Sequence, residues 1–156
     1  MPAAFLLCWI SNDVIVIAKL TDTTFTSLTM NDLTKPYLLI FETRPQYLYA
    51  RVTSETISPE MVVEYLHEVT DKCRKLAHKR LLVERDIPTT LSESDIFFTG
   101  NEFSNMGIDG MQIAFVDERA ANTDHLEFAM LVANNRGGHV ELFHNVPDAE
   151  NWLVPS

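Results

Sequence analysis

Short apolar runs alternate with helical repeats along this chain. From Pro36 the first run is Tyr37-Leu38-Leu39-Ile40-Phe41, and Gln46-Tyr47-Leu48-Tyr49-Ala50-Arg51-Val52 follows after Thr43-Arg44-Pro45. Two β-type runs split by a Pro-containing turn predict a hairpin. Ser58-Pro59-Glu60 then opens a helix. Ser caps, Pro suits the first helical position, and Glu complements the helix dipole. Ile57 and Val62 stand in staple positions around that cap. Val62, Tyr65, Leu66, Val69, Cys73 and Leu76 recur at helical spacing, which predicts a helix over 59–79. Glu68 with Lys72 and Asp71 with Lys75 form i,i+4 pairs on its wet side.

The alternation continues to the end of the chain. Leu81-Leu82-Val83 reads as a buried strand ending in Glu84-Arg85-Asp86, and Pro88 stops it. A second helix is predicted from Ser92, with Asp95 in the capping-box position and Leu91 and Ile96 as staple; Thr90 with Glu93 is a rival cap. Gly100 and Gly107 predict that this helix is weak or broken. Met111 to Val116 is the next strand, ending in Asp117-Glu118-Arg119. Asn122-Thr123-Asp124 starts a third helix through Leu126, Ala129, Met130 and Ala133, and Gly137-Gly138 stops it. His139 to Phe143 is the last strand, and Pro147-Asp148 opens a short helix carrying Trp152 and Leu153. The predicted order is β-β-α-β-α-β-α-β-α: an α/β fold with a small mixed sheet, mostly parallel after its first hairpin and packed against helices.

The first 29 residues stand apart. Phe5 to Ile10 and Val14 to Ile17 are apolar runs interrupted by Ser11-Asn12-Asp13, which predicts two short strands. A spanning helix needs about 20 nearly unbroken apolar residues and a signal peptide needs a basic start, and neither pattern is here. Residues 21–29, from Thr21 to Thr29, read as a linker, and Met30-Asn31-Asp32 makes a normal polar start. The expectation is an extra N-terminal segment over 1–29, outside the functional unit or forming a hairpin, and a single domain over 30–156.

Composition narrows the partners. The chain has 156 residues, 12 Lys+Arg and 22 Asp+Glu, for a net charge of −10. Leaving out Asp13, Asp22 and Lys19 changes that only to −9. Phosphate binding needs clustered Lys and Arg, so nucleic acid is not expected as a partner, and an acidic membrane surface is disfavoured alike. At this length a fold removes roughly 70% of the unfolded chain's surface from water, enough for a core without staples. Cys8 and Cys73 match no metal or redox spacing; Cys73 reads as an inert core thiol, and a reducing cytoplasm is the natural setting.

Motifs for chemistry are sparse. Gly107-Ile108-Asp109-Gly110 lacks the spacing and the Lys of a phosphate loop, and no Gly-x-Ser-x-Gly elbow occurs. None of the five histidines makes a His-x3-His pair, so neither a metal nor another cofactor is expected. Ligands and partners in open α/β sheets favour the crevice beyond the carboxyl ends of the strands. Those ends supply Asp86, Ser92, Glu93 and Ser94 from one connection and Asp117, Arg119, Asn122 and Thr123 from another. The plainer explanation of Ser92, Asn122 and Thr123 is helix capping. A hydrolase built on Asp86 and Asp117 would need burial and separated pKa values, of which the sequence gives no sign.

The run from Tyr37 to Leu153 resembles a STAS domain of the SpoIIAA-like branch. The matching features are the opening hairpin with its Pro-started helix, the strand Arg80-Leu81-Leu82-Val83 with a Ser-containing helix start, and Asn134-Asn135-Arg136-Gly137-Gly138. The tail Val140-Glu141-Leu142-Phe143 to Trp152-Leu153 is similar as well. The resemblance implies a small sheet with helices packed against it, in a domain that binds proteins or small ligands rather than catalyses. In the antagonist branch a Ser beginning the helix after the third strand is phosphorylated to change partner. Here Leu91-Ser92-Glu93-Ser94-Asp95 occupies that stretch, with Glu93 at the phosphorylated position, so a fixed charge replaces the switchable one. The expectation is a non-enzymatic protein-interaction or regulatory module without that switch. Two further readings are a carrier of a lipid or other small apolar ligand, with Phe97, Phe98 and Phe103 opening a pocket rather than joining the core, and a homodimer formed through the apolar N-terminal segment.

Overall fold

The computed structural model describes the backbone of residues 6–11, 14–19 and 25–29 and the whole of residues 34–156. Three strands, β1 (Leu6–Ser11), β2 (Val14–Lys19) and β3 (Phe25–Thr29), form an antiparallel sheet in that order. The predicted pair of N-terminal strands is present, although Asn12 and Asp13 between them lie outside the described residues. The linker expected over 21–29 is corrected at its end, because Phe25–Thr29 pairs with β2. Phe25, Thr26 and Thr29 suit a pleated strand better than a free linker.

The second sheet follows the predicted alternation. Its order is β4 (Leu38–Thr43), β5 (Leu48–Thr53), β6 (Arg80–Asp86), β7 (Gln112–Val116) and β8 (Val140–Phe143). The β4–β5 hairpin is antiparallel and every later pairing is parallel. Helices α1 (Pro59–Lys75), α2 (Glu93–Ser104) and α3 (Thr123–Asn135) make the crossovers, and α4 (Val146–Leu153) ends the chain. Strands laid down in sequential order by crossovers of one hand put their helices on one face. Leu48, Ala50, Val52, Leu81, Val83, Ile113, Phe115 and Val140 accordingly share a core with α1, α2 and α3. The alternate positions Leu82, Ala114 and Val116 turn to the other face, where α4 covers them with Ala149 and Leu153.

Local chemistry sets the helix ends. The Ser58 hydroxyl accepts from the Met61 amide at 3.2 Å, as predicted for α1. α1 stops at Lys75, four residues before its predicted end. Ala77 adopts φ 57°, and the amides of Ala77 and His78 return to the carbonyls of Arg74 and Cys73. This paired closure normally uses glycine at the left-handed position, so an alanine there hides the stop. α3 closes with the same bonding through Gly137 at φ 90°, where the glycine pair was legible. Cys73 is fully buried, donates to the His78 carbonyl at 3.3 Å, and burial pushes its thiol up to about 11.

α2 corrects one expectation. It runs unbroken through Gly100, and Gly107 lies beyond its end. Gly100 is where α2 meets α3: a Cβ there would fall 2.5 Å from Val132 Cγ1. Its role is close helix approach rather than helix breaking. Gly100→Ala is therefore expected to destabilise the fold by about 1–3 kcal/mol through overpacking, despite alanine's higher helix propensity. Adding Val132→Ala should return part of that loss; chemical denaturation showing Gly100→Ala to be stabilising would contradict the packing argument.

Candidate functional site

Strand alternation decides what the sheet's carboxyl edge presents. Leu81 and Val83 face the three-helix layer, so Arg85 follows them onto that face and Asp86 turns to the opposite one. Arg85 is thereby carried into the protein, with 3% of its side chain exposed, and it meets Asp117, 1% exposed, just past β7. The pair donates and accepts a charge-assisted hydrogen bond through Arg85 Nη1 and Asp117 Oδ2. Arg85 Nη2 also donates to the Thr89 carbonyl at 3.1 Å. Asn122 Nδ2 donates to Asp117 Oδ2 at 3.2 Å and to the Ile87 carbonyl at 3.3 Å. The Arg119 amide completes the carboxylate at 2.8 Å. Tyr65, fully buried beside Arg85, has its hydroxyl pKa raised by burial, with the guanidinium opposing.

A second cluster lies on the outer face. Asp86 accepts from Arg119 at 2.9 Å and from Arg51 at 3.1 Å. Those hydrogen bonds hold its carboxyl below the ordinary value. A lowered carboxylate pKa stabilises the fold above the unfolded pKa, and the effect fades as pH falls through the folded value. The groups are partly exposed, so that contribution is small.

The start of α2 forms a third group. The Ser92 hydroxyl accepts from the Asp95 amide at 3.3 Å, donates to Asp95 Oδ2 at 3.0 Å, and lies 3.1 Å from Ser94 Oγ. Ser92, Glu93 and Ser94 are exposed. One turn further on, Phe97 and Phe98 are 49% and 51% exposed, whereas Phe103 belongs to the core. Of the three phenylalanines expected to open a pocket, only Phe103 lines the cavity beneath the helices, whereas Phe97 and Phe98 stand outward. Beneath the helix layer is an apolar cavity of about 80 Å³, lined among others by Tyr65, Leu66, Arg85, Ile96, Phe103 and Met130.

The predicted residues divide accordingly. Asp117, Asn122 and Arg119 converge on one buried carboxylate, and Arg119 links it to Asp86. Asp86 and Asp117 leave the sheet on opposite faces, each held by arginine. Ser92 caps α2 as expected. Asn122 does not cap α3: its backbone is helical and its side chain turns inward to Asp117. Thr123 is the first residue of α3 and is partly buried. Arg85, Arg51 and Tyr65 were missed by the sequence reading. For Arg85 the signal existed, because continuing the Leu81, Val83 alternation by two residues places it among the helices.

No family model matches this chain, and no curated protein matches it. Among the described residues, no helix is long and apolar enough to cross a membrane.

Asp117→Asn keeps the shape of the carboxylate but leaves the Arg85 charge buried without its partner. A loss of about 3–5 kcal/mol is expected in urea denaturation. Arg85→Met with Asp117→Leu should lose less than Asp117→Asn alone; equal or greater loss would show that the buried charge is not the cause.

Proposed function

We propose that this chain is a non-enzymatic protein-interaction or regulatory module of STAS-like fold that works without the classical phosphoserine switch, Glu93 standing at that position. The STAS-like part rests on the sheet order, one antiparallel hairpin followed by parallel strands, and on the helices between them. The interaction part is carried by one observation, the outward face of α2. There an exposed Ser92-Glu93-Ser94 start is followed by two half-exposed aromatic rings, Phe97 and Phe98. Large aromatics left in water beside a polar rim are the usual composition of a contact surface, where their burial supplies most of the binding energy. Glu93 gives this surface a permanent negative charge at a helix N-terminus, which the helix dipole stabilises.

A second reading is favoured by the cavity beneath α2. Its walls are apolar, with Arg85 and Tyr65 supplying polar atoms, the general make-up of a small-ligand site. At about 80 Å³ it suits a small apolar molecule or one end of a longer one, well below the ~300–1,000 Å³ usual for ligand pockets. A bound molecule seen by native mass spectrometry and lost on denaturation would favour this carrier reading; an apo mass throughout would count against it.

The interaction reading is tested by capture from the native lysate on the full chain. Glu93→Ala/Ser94→Ala and Phe98→Ser versions serve as comparisons, with unchanged thermal melting as the folding control. A specific protein held by the unaltered chain and lost from both versions is the expected result. Equal retention by all three, or no specific capture, would remove the proposal.

A further inference from the structure

Beside the α2 face runs a groove of about 520 Å³, lined by Phe97, Phe128, Leu131, Val132, Asn135 and Arg136. Its walls are held in place. The Phe97 ring packs edge-on against Phe128, with centroids 5.3 Å apart and planes at 80°. The Arg136 guanidinium lies 5.8 Å from the Phe97 centroid, fixed by a 2.7 Å hydrogen bond to Asn101 Oδ1. Leu131, at 56% exposure, projects along the α3 side. A preformed apolar groove avoids most of the ordering cost that binding otherwise carries.

Topology gives the groove a direction. α2 and α3 each cross between parallel strands in the same sense, so they run parallel with their N-termini at one end. At 13 residues, α3 is about 20 Å long, enough to seat three turns of a docked helix. Glu93 and Asp95 lie in the first turn of α2, and Asp124 and Glu127 near the start of α3. Arg136 closes the opposite end. The groove is therefore lined mostly by apolar side chains with Arg136 at one end, and the acidic first turns of α2 and α3 lie beyond the other.

We infer that this groove docks an amphipathic helix of a partner protein, lying antiparallel to α2 and α3 with a basic C-terminal turn over the acidic end; the inference rests on the interaction reading above. Helices laid in grooves are held by apolar side chains at i, i+3, i+4 and i+7 spacing. In the antiparallel direction the occupant's negative dipole end meets the positive N-termini of α2 and α3. Lys and Arg are most favourable at that same C-terminal turn, so charge and dipole agree on one orientation. A second copy of this chain fits poorly. With a net charge of −10 on each copy, long-range repulsion opposes that pairing.

The test uses two fluorescein-labelled synthetic peptides with one Leu pattern at i, i+3, i+4 and i+7. One carries Glu in its first turn and Lys in its last, and the other has the charges reversed. Fluorescence anisotropy with the full chain should show the Lys-ended peptide binding at least ~10-fold more tightly. Leu131→Ser should weaken it by a similar factor and leave the melting temperature unchanged, because Leu131 lies largely in water. Equal affinity for both peptides, no binding of either, or indifference to Leu131→Ser would overturn the inference. So would self-association in sedimentation that Leu131→Ser abolishes. Lysate capture separates the two readings. A partner lost with Glu93→Ala/Ser94→Ala but kept by Leu131→Ser removes the groove and leaves the interaction module, whereas no capture at all removes both.

Discussion

A guanidinium and a carboxylate held out of water, Arg85 and Asp117, organise the carboxyl edge of this sheet. Neither charge is tolerable alone in that position, so each polar group around them is engaged. Asp117 is completed by the Arg119 amide and Asn122, and Arg85 by the Thr89 carbonyl. A buried pair of this kind adds little net stability over an apolar replacement, since desolvation offsets its attraction. What it supplies here is position. The β6–α2 connection is tied down at Ile87 and Thr89, and the turn after β7 is tied at Arg119.

That placement propagates to the surface. Fixing the β6–α2 connection fixes where Ser92 can cap, and Ser92 sets the phase of α2. The phase sends Ile96, Thr99, Gly100 and Phe103 inward and leaves Ser94, Phe97 and Phe98 outward. Gly100 lets α2 approach α3 closely enough for Phe97 to reach Phe128. The candidate contact face is thus a consequence of a buried ion pair, a cap and one missing side chain. On the other side of the sheet, α4 leaves the β5–β6 end polar, where Tyr49 donates to Glu84 and Asp86 gathers Arg51 and Arg119.

Periodicity and caps made most of the fold legible. Ser58-Pro59 announced α1, the Gly137-Gly138 pair announced the end of α3, and the short apolar runs marked every strand of the larger sheet. The end of α1 was hidden because an alanine, Ala77, takes the left-handed position that normally advertises itself as glycine. Gly100 was misread for the opposite reason: a glycine in a helix signals weakness locally, and its packing role exists only in three dimensions. Asn122 looked like a cap because caps are local, whereas its true partner Asp117 is reached through the turn after β7. Arg85 was hidden by its neighbours. In Glu84-Arg85-Asp86 a buried charge sits between two that face the other way, and composition alone reads the three as one wet end.

The Arg85–Asp117 pair positions the connections around it rather than merely adding stability. Hydrogen–deuterium exchange on the Arg85→Met/Asp117→Leu chain tests this most directly. Faster exchange is expected only at the Arg119 amide and in the 87–95 connection into α2, with α1 and β5 protected as in the unaltered chain. Uniform change across the sheet, or protection at 87–95 and Arg119 equal to that of the unaltered chain, would contradict it.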